Sequence, residues 1–227
     1  MTVPLGSVGE PTRDCPICER LVAFRAHHRV ENPTFHNAPV PSWLSGPDGQ
    51  DAAAVRLLVV GLAPGLKGAN RTARPFTGDW AGDLLYATLT KFGFAKGAYG
   101  ADPTDGLELV DCGITNAVRC VPPQNKPVGA EINACRPFLV DLMERLPNLS
   151  LIVTLGKISH DSTLRALNAR VAAHPFAHAA QFDVAGTTLL SSYHCSRYNT
   201  NTGRLTEAMF EDVFSKARAL LQAQSPG

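Results

Sequence analysis

Apolar and polar positions fall into alternating blocks along this chain. Four runs rich in Leu, Ile and Val, at residues 56–62, 107–118, 149–155 and 187–193, read as strands. Stretches with helical periodicity separate and follow them, at 82–92, 129–146, 158–171 and 206–222. Strand-then-helix alternation predicts an α/β fold: a three-layer α/β/α sandwich with a central four-stranded parallel sheet. Thr206, ahead of Glu207 and an apolar run, reads as a helix cap, and Asp161 and Ser162 read as opening another helix. Residues 1–50 are dense in proline and glycine. They read as an irregular N-terminal arm with one helix near 15–28, and the final QAQSPG as a frayed tail. No repeat or linker interrupts the pattern, so one domain is expected over 1–227.

Composition narrows the class. Hydrophobic residues make up 44% of the 227 positions and charged residues 18%, enough apolar material for a sizeable core. The net charge of +1 argues against a generally basic nucleic-acid binder but leaves room for a local basic face. No apolar run approaches the roughly 20 residues of a membrane helix. The first residues, MTVPLGSVGEPTRD, hold no apolar signal core. The expectation is a cytoplasmic protein with no membrane partner, in which six cysteines act as ligands or buried thiols rather than disulfides.

Candidate chemistry concentrates where strands end. The first strand empties into Gly61, Leu62, Ala63, Pro64 and Gly65, then a long Gly-, Asn- and Arg-rich loop that reaches Phe76 and Asp79 before the helical pattern resumes. Ligands of open α/β sheets bind beyond the carboxyl ends of strands, and long loops in compact domains are usually functional. The second strand ends at Asn116, whose amide both donates and accepts and can read a pyrimidine edge, or simply bond local backbone. The fourth ends at His194, ahead of Arg197, Tyr198 and Asn199 in a polar loop. Three strand ends would thus bring a carboxylate, an amide and an imidazole to one crevice. Lys67, Arg71, Arg74, Arg119 and Lys126 supply positive charge near that face.

Cys15 and Cys18 form a C-P-I-C pair, with Cys120 and Cys135 far downstream. Four thiolates from two segments satisfy the arithmetic of either zinc or an iron–sulfur cluster, and a single tight pair fits the cluster better. Unrelated buried thiols are the bland alternative. Cys112 reads as a core thiol and Cys195 as a partly exposed bystander.

The segment GLAPG…GANRT.RPFTGD..GD, the segment H.S..NTNTGRLT and the cysteine spacing together resemble the uracil-DNA glycosylase superfamily, most closely its type-B, or family 5, enzymes. The resemblance spans roughly residues 15–210 and implies a uracil-DNA glycosylase-like fold and a DNA-repair glycosylase. Such an enzyme flips uracil, and other deaminated bases such as hypoxanthine, out of DNA and hydrolyses the N-glycosidic bond. It implies a [4Fe-4S] cluster on Cys15, Cys18, Cys120 and Cys135 that ties the arm down. Asp79 and His194 are the implied catalytic residues, with Asp83 as a competitor for the acid. Gly61, Leu62, Ala63, Pro64, Gly65, Phe76 and Asn116 are the implied base pocket, and Arg71, Arg197, Tyr198 and Asn199 the implied DNA contacts. The partner is DNA, double-stranded with U·G or similar mispairs or single-stranded, met by a monomer that is monofunctional because no lysine is needed. Leu66 and Lys67 stand where that family often has Ala and His, Ala73 replaces a common Gly, and Cys195 a common Pro. Competing readings are a non-catalytic damaged-DNA binding module of the same fold, a nucleotide-binding enzyme using the glycines, and a DNA cross-linking relative. The last two fit poorly: G-K-[ST] is missing, and residues 66–76 hold no His.

Overall fold

The computed structural model describes residues 9–224. Part of the segment read for a signal core and the end of the frayed tail lie outside the described residues. A first helix, α1 (Glu19–Glu31), lies in the arm. Next come β1 (Leu57–Gly61), α2 (Ala69–Thr72), α3 (Trp80–Lys91), β2 (Ala95–Lys96), β3 (Glu108–Leu109) and β4 (Cys112–Asn116). The chain continues through α4 (Gly129–Glu144), β5 (Leu151–Leu155), α5 (Lys157–Ala166), β6 (Gln181–Val184), β7 (Thr187–Ser192), α6 (Arg197–Asn201) and α7 (Glu207–Ala223).

The main sheet has the order β4-β1-β5-β7-β6. Its first four strands are parallel, as the alternating pattern predicts. The expected four-stranded sheet gains a fifth member, because β6 pairs antiparallel with β7. Ala185 and Gly186 join these two strands with positive φ at both positions, a type I′ hairpin geometry without the usual Asn-Gly signature. The expected strand over 107–118 divides at Asp111, whose left-handed φ of 56° separates β3 from β4. Thr206 caps α7, accepting from the Met209 amide at 3.2 Å. Asp161 and Ser162 do not open a helix. They lie inside α5, which turns directly out of β5 at Gly156, with φ 93°.

Strand residues alternate between two cores. Leu57, Val59, Leu151, Val153 and Leu190 face α3 and α7, packing on Leu85, Leu89, Phe210 and Phe214. Leu58, Val60, Ile152 and Leu189 face the other way, toward Leu139 and Leu142 of α4 and Leu164 of α5. The three layers follow from this alternation. The arm is held by ordinary packing as well as by the neighbourhood of its cysteines. Arg20 grips Glu131 of α4 with two bonds of 2.7 Å, Leu21 packs with Phe138, and Trp43 bridges Ile114 along the outer edge of β4. Among the described residues, no helix is long and apolar enough to cross a membrane.

The loop after β1 is locked by an ion pair. Arg74 grips Asp105 at 2.8 and 2.7 Å, and both side chains are almost wholly buried. Its guanidinium also lies 4.7 Å from the Trp43 ring centroid and donates through Nε to Thr77. Burial pushes the Asp105 carboxyl up, but Arg74 and the amides of Gly100 and Leu107 outweigh it and hold it well below the usual range. Arg74→Met is expected to cost about 3–5 kcal/mol by leaving a buried carboxylate unpaired, measured by urea unfolding. A loss under about 1 kcal/mol would mark the pair as incidental.

Candidate active site

The parallel strands bring their carboxyl ends to one edge, and the chain reverses direction about β1 there. Two connected cavities open at that edge. The smaller, about 40 Å³, is lined by Ala63, Pro64, Gly65, Phe76, Asp79, Asn116 and His194, with Ala69 and Ala81. The larger, about 660 Å³, shares Ala63, Gly65, Asp79 and His194 and spreads over Leu62, Trp80, Lys157, Tyr193, Arg197, Tyr198, Asn199 and Arg204.

The inner cavity depends on close backbone approach. A Cβ on Gly61 would lie 2.4 Å from Asn116 Oδ1 and 2.5 Å from the Phe76 ring, so only glycine lets those two side chains lie over the end of β1. A Cβ on Gly68 would meet Asp79 Oδ2 at 2.3 Å. The carboxylate is thus laid against the glycine loop. Phe76 is 7% exposed and joins the main core, and it also walls the cavity. Its φ of 54° is unusual for an aromatic residue, and such strain tends to gather at functional sites. The Phe76 and His194 rings lie nearly parallel, at 28° and 6.0 Å between centroids.

Asp79 stands at the cap position of α3, but its side chain makes no cap bond. Burial raises its carboxyl above the ordinary carboxylate value; the amides of Gly82 and Ala81 pull the other way, and Asp83 adds a small repulsion. Asp79 Oδ1 and His194 Nδ1 are both buried without a hydrogen-bond partner in the protein. Unpaired polar atoms of this kind are rare in folded proteins and call for an explanation, which a bound ligand or water supplies. The His194 ring opens on the cavity but is otherwise enclosed by protein, and burial pushes it down to about 4. Asp83, the competing acid, is exposed and lines neither cavity.

The structure divides the expected DNA contacts. Arg197, Tyr198 and Asn199 line the outer cavity, and Tyr198 is 72% exposed at its mouth. Arg71 lines neither cavity; it is exposed and bonds the Lys67 carbonyl. Arg74 is committed to Asp105. Arg119 is 2% exposed and bonds Val40, Ser42, Thr115 and Glu10, so neither guanidinium is free for phosphate. Lys67 and Lys126 are exposed. Lys157, Arg204 and Trp80 line the outer cavity and were not foreseen. The turn Leu155-Gly156-Lys157 at a third parallel strand end was the available signal for Lys157.

Cys15, Cys18, Cys120 and Cys135 line one small cavity between α1, α4 and the segment after β4. Arg25 donates toward Cys120 Sγ at 3.5 Å, and the Arg119 amide donates to Cys135 Sγ at 3.3 Å. Burial raises the Cys18 thiol, and pushes Cys120 up to about 11 and Cys135 up to about 12. Cys112 is buried in β4, as expected. Cys195 corrects its expectation: it is fully buried rather than partly exposed, its thiol donates to the Ala81 carbonyl at 3.5 Å, and burial raises it, which argues against a nucleophile.

The model of the family described as "Uracil DNA glycosylase superfamily" matches residues 48–218. A type-5 uracil-DNA glycosylase of Thermus thermophilus is 41% identical over 91% of this chain and 93% of its own length. One from Mycobacterium bovis is 39% identical over 91% of this chain and 78% of its own. A type-4 uracil-DNA glycosylase of Pyrobaculum aerophilum matches less, 32% over 54% of this chain and 55% of its own.

The His194 imidazole is expected to stay neutral through pH 6.5 and to titrate near 4, followed by NMR of the ring protons. Because the folded value lies below the unfolded one, stability should rise with pH between the two and level off above about 6.5. A midpoint near 6.5 would contradict the buried, uncharged ring.

Proposed function

This chain belongs to the uracil DNA glycosylase superfamily, and from that premise we propose that it removes uracil from DNA by hydrolysing the N-glycosidic bond. The observation that carries this reading is the inner cavity, where Phe76, Asn116, His194 and Asp79 converge and two polar atoms wait unpaired. The cavity lies at the end of the sheet, so a base inside a duplex must leave the stack to reach it. That extrusion costs least at mispairs, which favours U·G and hypoxanthine-containing sites, or single strands.

Each residue has a task. Phe76 offers an apolar wall to the base, and Asn116 an amide to its polar edge. As the bond from the sugar C1′ to the base nitrogen breaks, positive charge grows on the sugar and negative charge on the base. Asp79 stabilises the first, orients a water and takes one of its protons while the oxygen bonds C1′. Neutral His194 donates an N–H to a carbonyl of the departing base, which collects its proton from solvent. Preorganised donors of this kind are worth about 3–4 kcal/mol each. Among the described residues no lysine lines the inner cavity, so the reading includes a monofunctional enzyme that leaves an intact abasic site. Lys157, Arg197 and Arg204 around the outer cavity would meet phosphates in a salt-sensitive manner.

The four cysteines support a [4Fe-4S] cluster. They line one small cavity as a single tight pair plus two ligands from separate segments, the arrangement that suits a cube reached from several directions. Bound there, the cluster would supply cross-linking between α1 and α4, and Arg25 and the Arg119 amide would offset the charge of its thiolates.

Two measurements test the proposal. Purified protein should release uracil from U·G duplex, and Asp79→Asn should slow the single-turnover rate by about 100-fold or more without loss of folding. Binding without any base release would favour a damaged-DNA binding module, and strand nicking before alkali treatment would exclude the monofunctional reading. Protein prepared anaerobically should be brown with broad visible absorption, lost on Cys120→Ser. A colourless protein with one zinc per chain would overturn the cluster.

A further inference from the structure

The first turn of α3 and the loop after His194 are joined at two points. Trp80 follows Asp79 directly, and its indole Nε1 donates to Thr200 Oγ1 of α6 at 3.1 Å. Two residues from Asp79 on the buried side, Ala81 accepts the Cys195 thiol. Arg197 lies over the Trp80 ring at 5.4 Å, covering the same contact from the α6 side. Thr200 is preset as an acceptor, since its own hydroxyl faces the Ser196 and Arg197 carbonyls.

The contact matters because of what Asp79 lacks. Its Oδ1 has no partner, and the amides that act on the carboxyl, those of Ala81 and Gly82, belong to the first turn of α3, so that turn sets its aim. That turn is gripped by residues of the segment carrying Tyr198, which protrudes at the mouth of the outer cavity. Trp80 itself is 48% exposed, a large apolar surface left at the cavity rim. A Trp placed only for packing would be buried further, and one placed only to meet DNA would not need its N–H committed to α6.

We propose that Trp80 is a positioning residue: the Trp80–Thr200 hydrogen bond latches α6 to the first turn of α3, so that DNA seated against α6 fixes the aim of the Asp79 carboxylate. The inference rests on reading this cavity as a glycosylase site and assigns it a coupling between DNA contact and chemistry. Cys195 is the inner half of the same latch, its thiol donating to the Ala81 carbonyl.

The test is a cycle of Trp80→Phe, Thr200→Val and the double variant, with Thr200→Ser as the conservative control. At saturating U·G duplex, each of the first two should lower the single-turnover rate about five- to tenfold, while the DNA dissociation constant stays within about twofold. The double variant should be no worse than either single, and Thr200→Ser should keep the wild-type rate. Additive losses, or weaker DNA binding with an unchanged rate at saturation, would overturn the latch and leave Trp80 a plain DNA contact. Amide exchange in the free protein is the arm that needs no catalysis: residues 196–204 should exchange about tenfold faster in both single variants. Unchanged protection would overturn the latch even where wild type releases base. A wild type that releases no base would instead defeat the glycosylase reading, with exchange still deciding the latch.

Discussion

The active-site loop depends on one buried ion pair. Between β1 and α3 the chain has only the four-residue helix α2 to order it, and it must still place Phe76 and Asp79 within a small cavity. Arg74 does this by reaching away from the site. Its two bonds to Asp105 and its stack on Trp43 tie the loop to a distant segment and to the arm together. Around that anchor, Thr72 and Thr77 bond loop carbonyls, and Tyr86 donates to Pro75. Phe76 follows two residues later with a left-handed backbone, a conformation that only a held loop would sustain. An arginine that reads in the sequence as positive charge near the site is, in the fold, the brace that makes the site possible.

Much of the architecture was legible because buried strands are short, apolar and bounded by glycine. Residues 57–61 and 151–155 fall within the runs that the pattern marks. The parallel order follows from helices lying between them. What the pattern hid was governed by backbone geometry rather than hydropathy. Asp111 and Ala185 adopt positive φ without being glycine, so the split between β3 and β4 and the β6–β7 hairpin gave no composition signal. The run at 158–171 marks the start of α5 to within one residue but not its cap: Asp161 and Ser162 look like caps and lie inside the helix, whereas Gly156 makes the turn with no side chain at all.

The site was legible to a different degree. Asn116 ends β4 and His194 follows β7 by two residues, while Phe76 and Asp79 come from the loop that leaves β1, and parallel strands bring those three ends together. Charged residues were harder, because the sequence does not say which way a long side chain turns. Arg74 and Arg119 turn inward to buried partners, while Lys157, in a segment with no motif of its own, and Arg204, inside the NTNTGRLT segment, turn to the cavity rim. The four cysteines converge although two come from an arm with little regular structure, because α1 docks on α4 through Arg20, Leu21 and Glu131 and carries its flanking turn with it.

Asp79 Oδ1 and His194 Nδ1 carry a consequence of their own. Each is buried without a partner in the protein and each belongs to a residue that lines the inner cavity, so each leaves hydrogen-bonding capacity that a base and its water would fill. Part of the affinity for substrate is therefore stored in the folded chain before any DNA arrives. Apolar groups in their place would carry no such capacity, so selection for thermal robustness alone would not preserve this cavity.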